Sequence, residues 1–148
     1  MLKNKGFSLL EVLLVTTIAA MIFFVAIPYS LNFYRAQLVE DTRANIIDAL
    51  QRARHNAILQ KEDSDFGVTL SEVANSYIIF QGSSYNTRIA VQDEVFPVVD
   101  SIILGGLADV IFSKLTGLPN ATGTITLTYG IISKGIFVND FGIASKSN

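Results

Sequence analysis

The chain has 148 residues, half of them hydrophobic, with 11 Lys and Arg against 13 Asp and Glu, a formal net charge of -2 and no cysteine. That length holds one compact domain besides an apolar segment and excludes two. The missing cysteines exclude a disulfide framework and a thiolate metal site, and with near-balanced charge no electrostatic footprint for nucleic acid stands out, so nucleic acid is not an expected partner.

Residues 1–6 form a polar leader carrying Lys3 and Lys5, too short to fold. After Glu11 no charged residue occurs until Arg35, and an apolar run of that length crosses a bilayer core as a helix of about 20 residues or more. Glu11 stands at the head of the run. An ionised Glu near hydrocarbon costs roughly 2.5 to 3.5 kcal/mol on insertion scales, so it reads as a functional group in need of a partner; the plainer reading is a side chain snorkelling to the interface. Lys3 and Lys5 precede the run, whereas Arg35 is soon followed by Glu40 and Asp41, which places the N-terminus in the cytoplasm and the bulk of the chain outside. A conventional cleaved signal has an apolar region of only about 7 to 15 residues with a small-residue exit. This run is longer, and Ala26-Ile27-Pro28 is a poor exit.

A short basic leader ending in Gly6, then Phe7, then Glu11 as the fifth residue beyond the glycine, then an apolar helix containing Pro28, resembles the class III signal of type IV pilins and type II secretion pseudopilins. The motif covers about the first fifth of the chain. The resemblance implies cleavage between Gly6 and Phe7 by a prepilin peptidase, N-methylation of Phe7, and assembly through Glu11, which would pair with the methylated amine of a neighbouring subunit. It also implies a cytoplasmic ATPase, an inner-membrane platform protein and other pilin or pseudopilin subunits as partners. Pro28 removes the hydrogen bond to the Phe24 carbonyl and crowds that turn, so a kink is expected there. Ala19, Ala20 and Ala26 would permit close lateral approach of helices.

Beyond the apolar run, Leu38, Val39, Ile46, Ile47, Leu50, Ala53, Ala57 and Ile58 recur at three- and four-residue steps, which extends one helix from residue 7 to about 62, the part from 7 to 31 lying in membrane or filament core. Asp48 and Arg52 are spaced as an i,i+4 pair on it. The cluster Gln60-Lys61-Glu62-Asp63-Ser64-Asp65 ends the helix. From residue 65 to 148 the texture changes to short β-branched or aromatic runs, at 66–70, 77–81, 87–91, 95–99, 101–104, 110–113, 124–129, 131–133 and 135–138, punctuated by Gly82-Ser83-Ser84, Gly105-Gly106, Gly117-Leu118-Pro119-Asn120 and Asn139-Asp140. This spacing predicts an α+β chain whose long N-terminal helix packs on an antiparallel sheet or sandwich. Gly142 is expected to supply a positive φ between strand ends. The tail, Val110-Ile111-Phe112, Thr116-Gly117, Gly123 to Leu127 and Ile136 to Ile143, resembles the C-terminal hairpins of H-type minor pseudopilins.

No catalytic residue, cofactor or metal ligand set is expected. His55, the only histidine, has no cysteine or i±4 carboxylate and reads as a solvated helix residue. Ser8, Ser64 and Ser133 sit in no glycine elbow. Asp93, Glu94 and Asp100 lack the dense alternating spacing of a calcium loop and read as surface charge. Asn120-Ala121-Thr122 is a sequon by pattern and a turn by composition. Arg52, Arg54 and Lys61 form a small basic patch. The sequence thus reads as a structural subunit and not an enzyme, with two rivals: a major pilin, or a membrane-tethered enzyme or ligand-binding β domain whose N-terminus coincides with the motif.

Overall fold

The computed structural model describes residues 6–71 and 74–147, without the side chains of residues 26–29. One helix, α1, runs from Leu9 to Ile58, and the chain divides into two compact units, Met1–Ala36 and Gln37–Asn148.

Within the first unit the described side chains from Gly6 to Arg35 are exposed apart from the half-buried Ala19. The helix there is long and apolar enough to cross a membrane. Two threonine hydroxyls are satisfied within the helix: Thr16 donates to the Leu13 carbonyl at 3.0 Å, and Thr17 donates to the carbonyls of Leu13 and Leu14 at 2.9 and 2.8 Å. That matters in a lipid solvent, where an unpaired polar group is costly. The kink expected at Pro28 falls on side chains outside the described residues.

In the second unit the rest of α1 buries a stripe of Val39, Ile46, Ala49, Leu50, Ala53 and Ala57. These positions recur at helical spacing, and the alanines let the sheets come close to the helix axis. Leu38 and Ile47 are only half-buried and Ile58 is exposed. The helix closes with Leu59 N–H on the His55 carbonyl at 2.9 Å, then turns left-handed at Gln60, φ 53°, ahead of a 3-10 turn at Lys61–Asp63. The helix thus ends at Ile58, just ahead of the polar cluster and four residues short of the expected 62.

Eight strands follow, forming two antiparallel four-stranded sheets: β1 Phe66–Thr69, β2 Ser76–Gln81, β3 Glu94–Pro97, β4 Ile103–Gly106, β5 Asp109–Phe112, β6 Gly123–Tyr129, β7 Ile132–Val138 and β8 Ala144–Ser147. The first sheet has the order β3-β2-β1-β5 and the second β4-β6-β7-β8. Phe66, Val68, Tyr77, Ile79, Val110 and Phe112 from the first sheet and Ile125, Leu127, Ile136, Val138 and Ala144 from the second join the helix stripe in one core. The α+β class is therefore correct, and the sheet material forms two sheets.

Three details differ from the sequence reading. Residues 87–91 are not a strand. They belong to a segment of 3-10 turns, Tyr85–Thr87 and Ala90–Gln92, in which Ile89 and Val91 are exposed. Their β-branched spacing therefore reflects no buried face. This segment covers the far side of the first sheet, where Phe80 is fully buried, with Tyr85 edge-on to its ring at 5.7 Å. Arg88 lies 3.7 Å over Tyr85, donates to its carbonyl at 2.8 Å and pairs with Asp93 at 2.7 Å. Gly67 is the floor of this second small core, since a methyl there would lie 2.5 Å from Phe80 Cζ. Secondly, the runs at 131–133 and 135–138 form one strand, because Gly135 stays in register with Thr126 and Ser147. Thirdly, β8 was not expected: Ser145, Lys146 and Ser147 carry no β signal, and the ladder to β7 is what makes them extended. Gly142 does take φ 73° between β7 and β8.

Candidate functional site

Gly6 has no atom within 4 Å of the position its Cβ would take, and Phe7 is 81% exposed. The helix begins two residues later, where the Ser8 carbonyl accepts the N–H groups of Glu11 at 3.0 Å and Val12 at 3.2 Å. Glu11 is exposed in the first helical turn, where a carboxylate interacts favourably with the unpaired N–H groups of the helix start. Phe7, Leu9, Val12, Leu13 and Thr16 line a shallow hollow beside it. Gly6 and Phe7 thus form an accessible peptide outside the helix, and Glu11 is a carboxylate with no cation partner in its own chain among the described residues. Pro28 lies within the helix bounds, 17 positions beyond Glu11.

On the second unit the structure redistributes the charges that sequence spacing had grouped. Arg52 does not pair with Asp48. Its guanidinium meets Glu94 at 2.6 Å and lies 5.7 Å over the Phe96 ring, which itself stacks on Tyr77 at 5.0 Å. A carboxylate on β3 offers a shorter contact than an exposed neighbour one helical turn away. Arg54 donates from Nε to the Gly117 carbonyl at 3.3 Å, and Ala53 between the two arginines is fully buried. Arg52 and Arg54 of the small basic patch thus turn to separate partners, while Lys61 borders a cleft with Arg52. Asp93 and Glu94 are each held by an arginine, and among the described residues no group of three His, Cys, Asp or Glu side chains could hold a metal ion. His55 is exposed. Asn120 faces β5 in a turn, its Oδ1 accepting Ile111 N–H and its own N–H reaching the Ile111 carbonyl, both at 2.8 Å.

Clefts of about 310 and 400 Å³ adjoin at Asp48 and Arg52, the first floored by Tyr77 and Phe96, the second bordered by His55 and Lys61. Burial, and then the Asp48 charge, push the Tyr77 phenol above its ordinary pKa.

One cluster was not legible in the sequence. Arg43 occupies a slot in the buried helical stripe at 6% exposure, donating to Glu40 at 3.3 Å and to the Ser147 carbonyl at 3.2 Å, while Lys146 reaches Glu40 at 2.5 Å. The Lys146 hydrogen bond, with the charges of Arg43 and Lys146, holds the Glu40 carboxyl below its ordinary pKa against the opposing effect of burial. This clasp ties β8, an edge strand, to the first buried turn of the second unit. An arginine inside an apolar periodicity, three residues from Glu40, was the one available signal; the β8 residues that complete the cluster, Lys146 and Ser147, lie about a hundred residues away.

The chain matches no protein-family model, no curated protein and no solved structure.

Proposed function

We propose that this chain is a prepilin-like structural subunit, of the minor pseudopilin kind, in a type II secretion or type IV pilus filament, and not an enzyme. The single observation that carries the reading is the N-terminal arrangement: an open Gly6-Phe7 peptide, a carboxylate at Glu11 in the first turn, and no further charge until Arg35. A peptidase needs an accessible segment outside regular structure, which Gly6-Phe7 offers. Removing residues 1–6 leaves a new amine at Phe7, methylated and still cationic. In lipid that amine and the Glu11 carboxylate of an adjacent subunit attract by about 4 kcal/mol at 4 Å and an effective dielectric of 20. Desolvation offsets part of this. The remainder fixes axial register, because a slipped subunit would leave two charges unpaired in hydrocarbon.

On this reading residues 7–31 serve first as a single-pass inner-membrane anchor, with the N-terminus in the cytoplasm, and then as filament core. Residues 65–148 are the outer, β-rich domain. The C-terminal hairpin of β6 and β7 supports the H-type likeness by its placement of Gly123 to Leu127 and Ile136 to Val138 in one ladder. The partners are other pilin or pseudopilin subunits, the prepilin peptidase and the platform protein.

Mass spectrometry of the mature N-terminus tests the proposal. The expected product begins at N-methyl-Phe7, is lost in Gly6→Val, and fails to enter filaments in Glu11→Val although it is still cut. A mature chain that keeps Met1, or normal filament entry by Glu11→Val, overturns it.

A further inference from the structure

The β6–β7 hairpin ends in Gly130-Ile131, with Gly130 at φ 60° and nothing within 4 Å of it, and Ile131 is 97% exposed. Folding gains nothing from this side chain. An isoleucine held in water at the tip of a turn gains free energy by entering an apolar environment.

The direction of the hairpin says which environment that is. Arg54 touches the turn at Gly142, its Cδ 3.2 Å from where a Cβ there would stand, whereas Arg43 binds Ser147 at the other end of β8. Passing from Gly142 to Ser147 therefore runs toward Gln37, where this unit begins. Gly135 pairs with Ser147, and Ile131 lies four residues further along β7, which is roughly 13 Å at strand rise. Gln37 precedes Arg43 by six residues, roughly 9 Å at helical rise. The hairpin tip thus projects from the same end of the unit at which the chain enters it. Ile103, 69% exposed, pairs with Thr128 in the same ladder, two residues from the turn, so a second apolar side chain lies near this end. Lys134, three residues beyond Ile131, has no carboxylate partner among the described residues and can meet anionic headgroups.

We infer that the β6–β7 tip seats in the outer face of the lipid bilayer, with Ile131 entering the headgroup and acyl boundary and Ile103 beside it. The inference rests on the proposal that residues 7–31 span the membrane. The tether keeps the entry end of the unit close to the bilayer: from Leu31 to Gln37 is six residues, at most about 20 Å however that stretch is arranged. A surface within that reach of lipid, carrying an exposed isoleucine at its leading turn, meets a partner that is always present before assembly. The seat would fix the orientation of the outer domain on the membrane and would be vacated when the subunit leaves the bilayer for the filament.

The lack of cysteine in the chain makes the test direct. The full chain carrying Ile131→Cys, Ile18→Cys or Val91→Cys is labelled with nitrobenzoxadiazole and reconstituted in phosphatidylethanolamine–phosphatidylglycerol vesicles containing nitroxide-labelled phosphatidylcholine. Val91, 94% exposed on the segment covering the first sheet, is the aqueous reference. The expected result is blue-shifted, lipid-quenched emission at 131 and 18 and water-like emission at 91. A label at Ile103→Cys, with Ile131 intact, is quenched too, and loses its quenching when Ile131→Asp is added. Quenching at 18 with position 131 as water-like as 91 overturns the tip inference and leaves the anchor standing. An unquenched label at 18 overturns the anchor and the inference with it, and equal quenching at 91 overturns the selective seat.

Discussion

Glu40→Ala is the perturbation that best separates what is buried from what is merely close. Three contacts converge on this carboxylate, and the shortest is the 2.5 Å one from Lys146. The Lys146 side chain is 57% exposed, however, against 7% for Arg43. An exposed pair contributes about 0 to 1 kcal/mol once water and side-chain entropy are counted. A buried guanidinium stripped of its carboxylate is different. Breaking a fully buried pair costs about 3–5 kcal/mol; Glu40 is itself 33% exposed, so water replaces part of what is lost and the expected cost falls to about 2 kcal/mol. Arg43 Nε already lacks a partner among the described residues, which leaves only the Ser147 carbonyl to satisfy the group. The assay is urea unfolding of the full chain in detergent, followed by tyrosine fluorescence. Lys146→Ala is expected to cost less than about 1 kcal/mol by the same comparison. The pH dependence has a fixed sign. The folded Glu40 pKa is lowered, so its contribution is complete above the ordinary glutamate value of about 4.3 and is lost as pH falls through the lower folded value. Glu40→Ala removes that acid limb. Equal losses in Lys146→Ala and Glu40→Ala would refute the reasoning, since the exposed pair would then carry the clasp.

Phe80→Ala deletes a fully buried ring, with an expected cost of about 3–5 kcal/mol; limited proteolysis should then cut within residues 82–93, which the ring anchors, before cutting elsewhere in the second unit. Gly142→Ala places a methyl 2.7 Å from the Gly117 carbonyl oxygen at a φ of 73°, for an expected loss of about 2–4 kcal/mol in thermal or urea unfolding, from left-handed strain together with overpacking. In Asp48→Asn the Tyr77 phenol should ionise earlier than in the parent but still later than a free tyrosine near pH 10, because burial is the larger of its two causes; ultraviolet difference titration against Tyr77→Phe reads this directly.

Periodicity was a good guide to position and a poor one to partnership. The stripe from Val39 to Ala57 and the alternation of Ile125, Leu127 and Tyr129 were legible because burial on one face repeats at the step of the element. The same rule failed at Thr87, Ile89 and Val91, where alternating β-branched residues lie in turns, held by contacts of Tyr85 and Arg88 to each other and to Asp93 that no local pattern encodes. It also missed β8, whose residues are extended only because β7 offers them a ladder. The spacing of Asp48 and Arg52 suggested a pair that β3 pre-empts with Glu94.

The N-terminal motif is a one-dimensional object. Gly6, Phe7, Glu11 and an uncharged run to Arg35 specify a lone carboxylate at the head of an apolar helix long enough to cross a membrane by order alone, since each property depends on neighbours in the chain. What the second unit presents is three-dimensional. Only the fold brings Glu40 and Arg43 to the last strand, closes a second small core over Phe80, and turns an ordinary isoleucine at position 131 into the exposed leading edge of a hairpin. Those outcomes depend on strand register and on contacts between residues tens to a hundred positions apart, and neither residue type nor spacing along the chain carries that information.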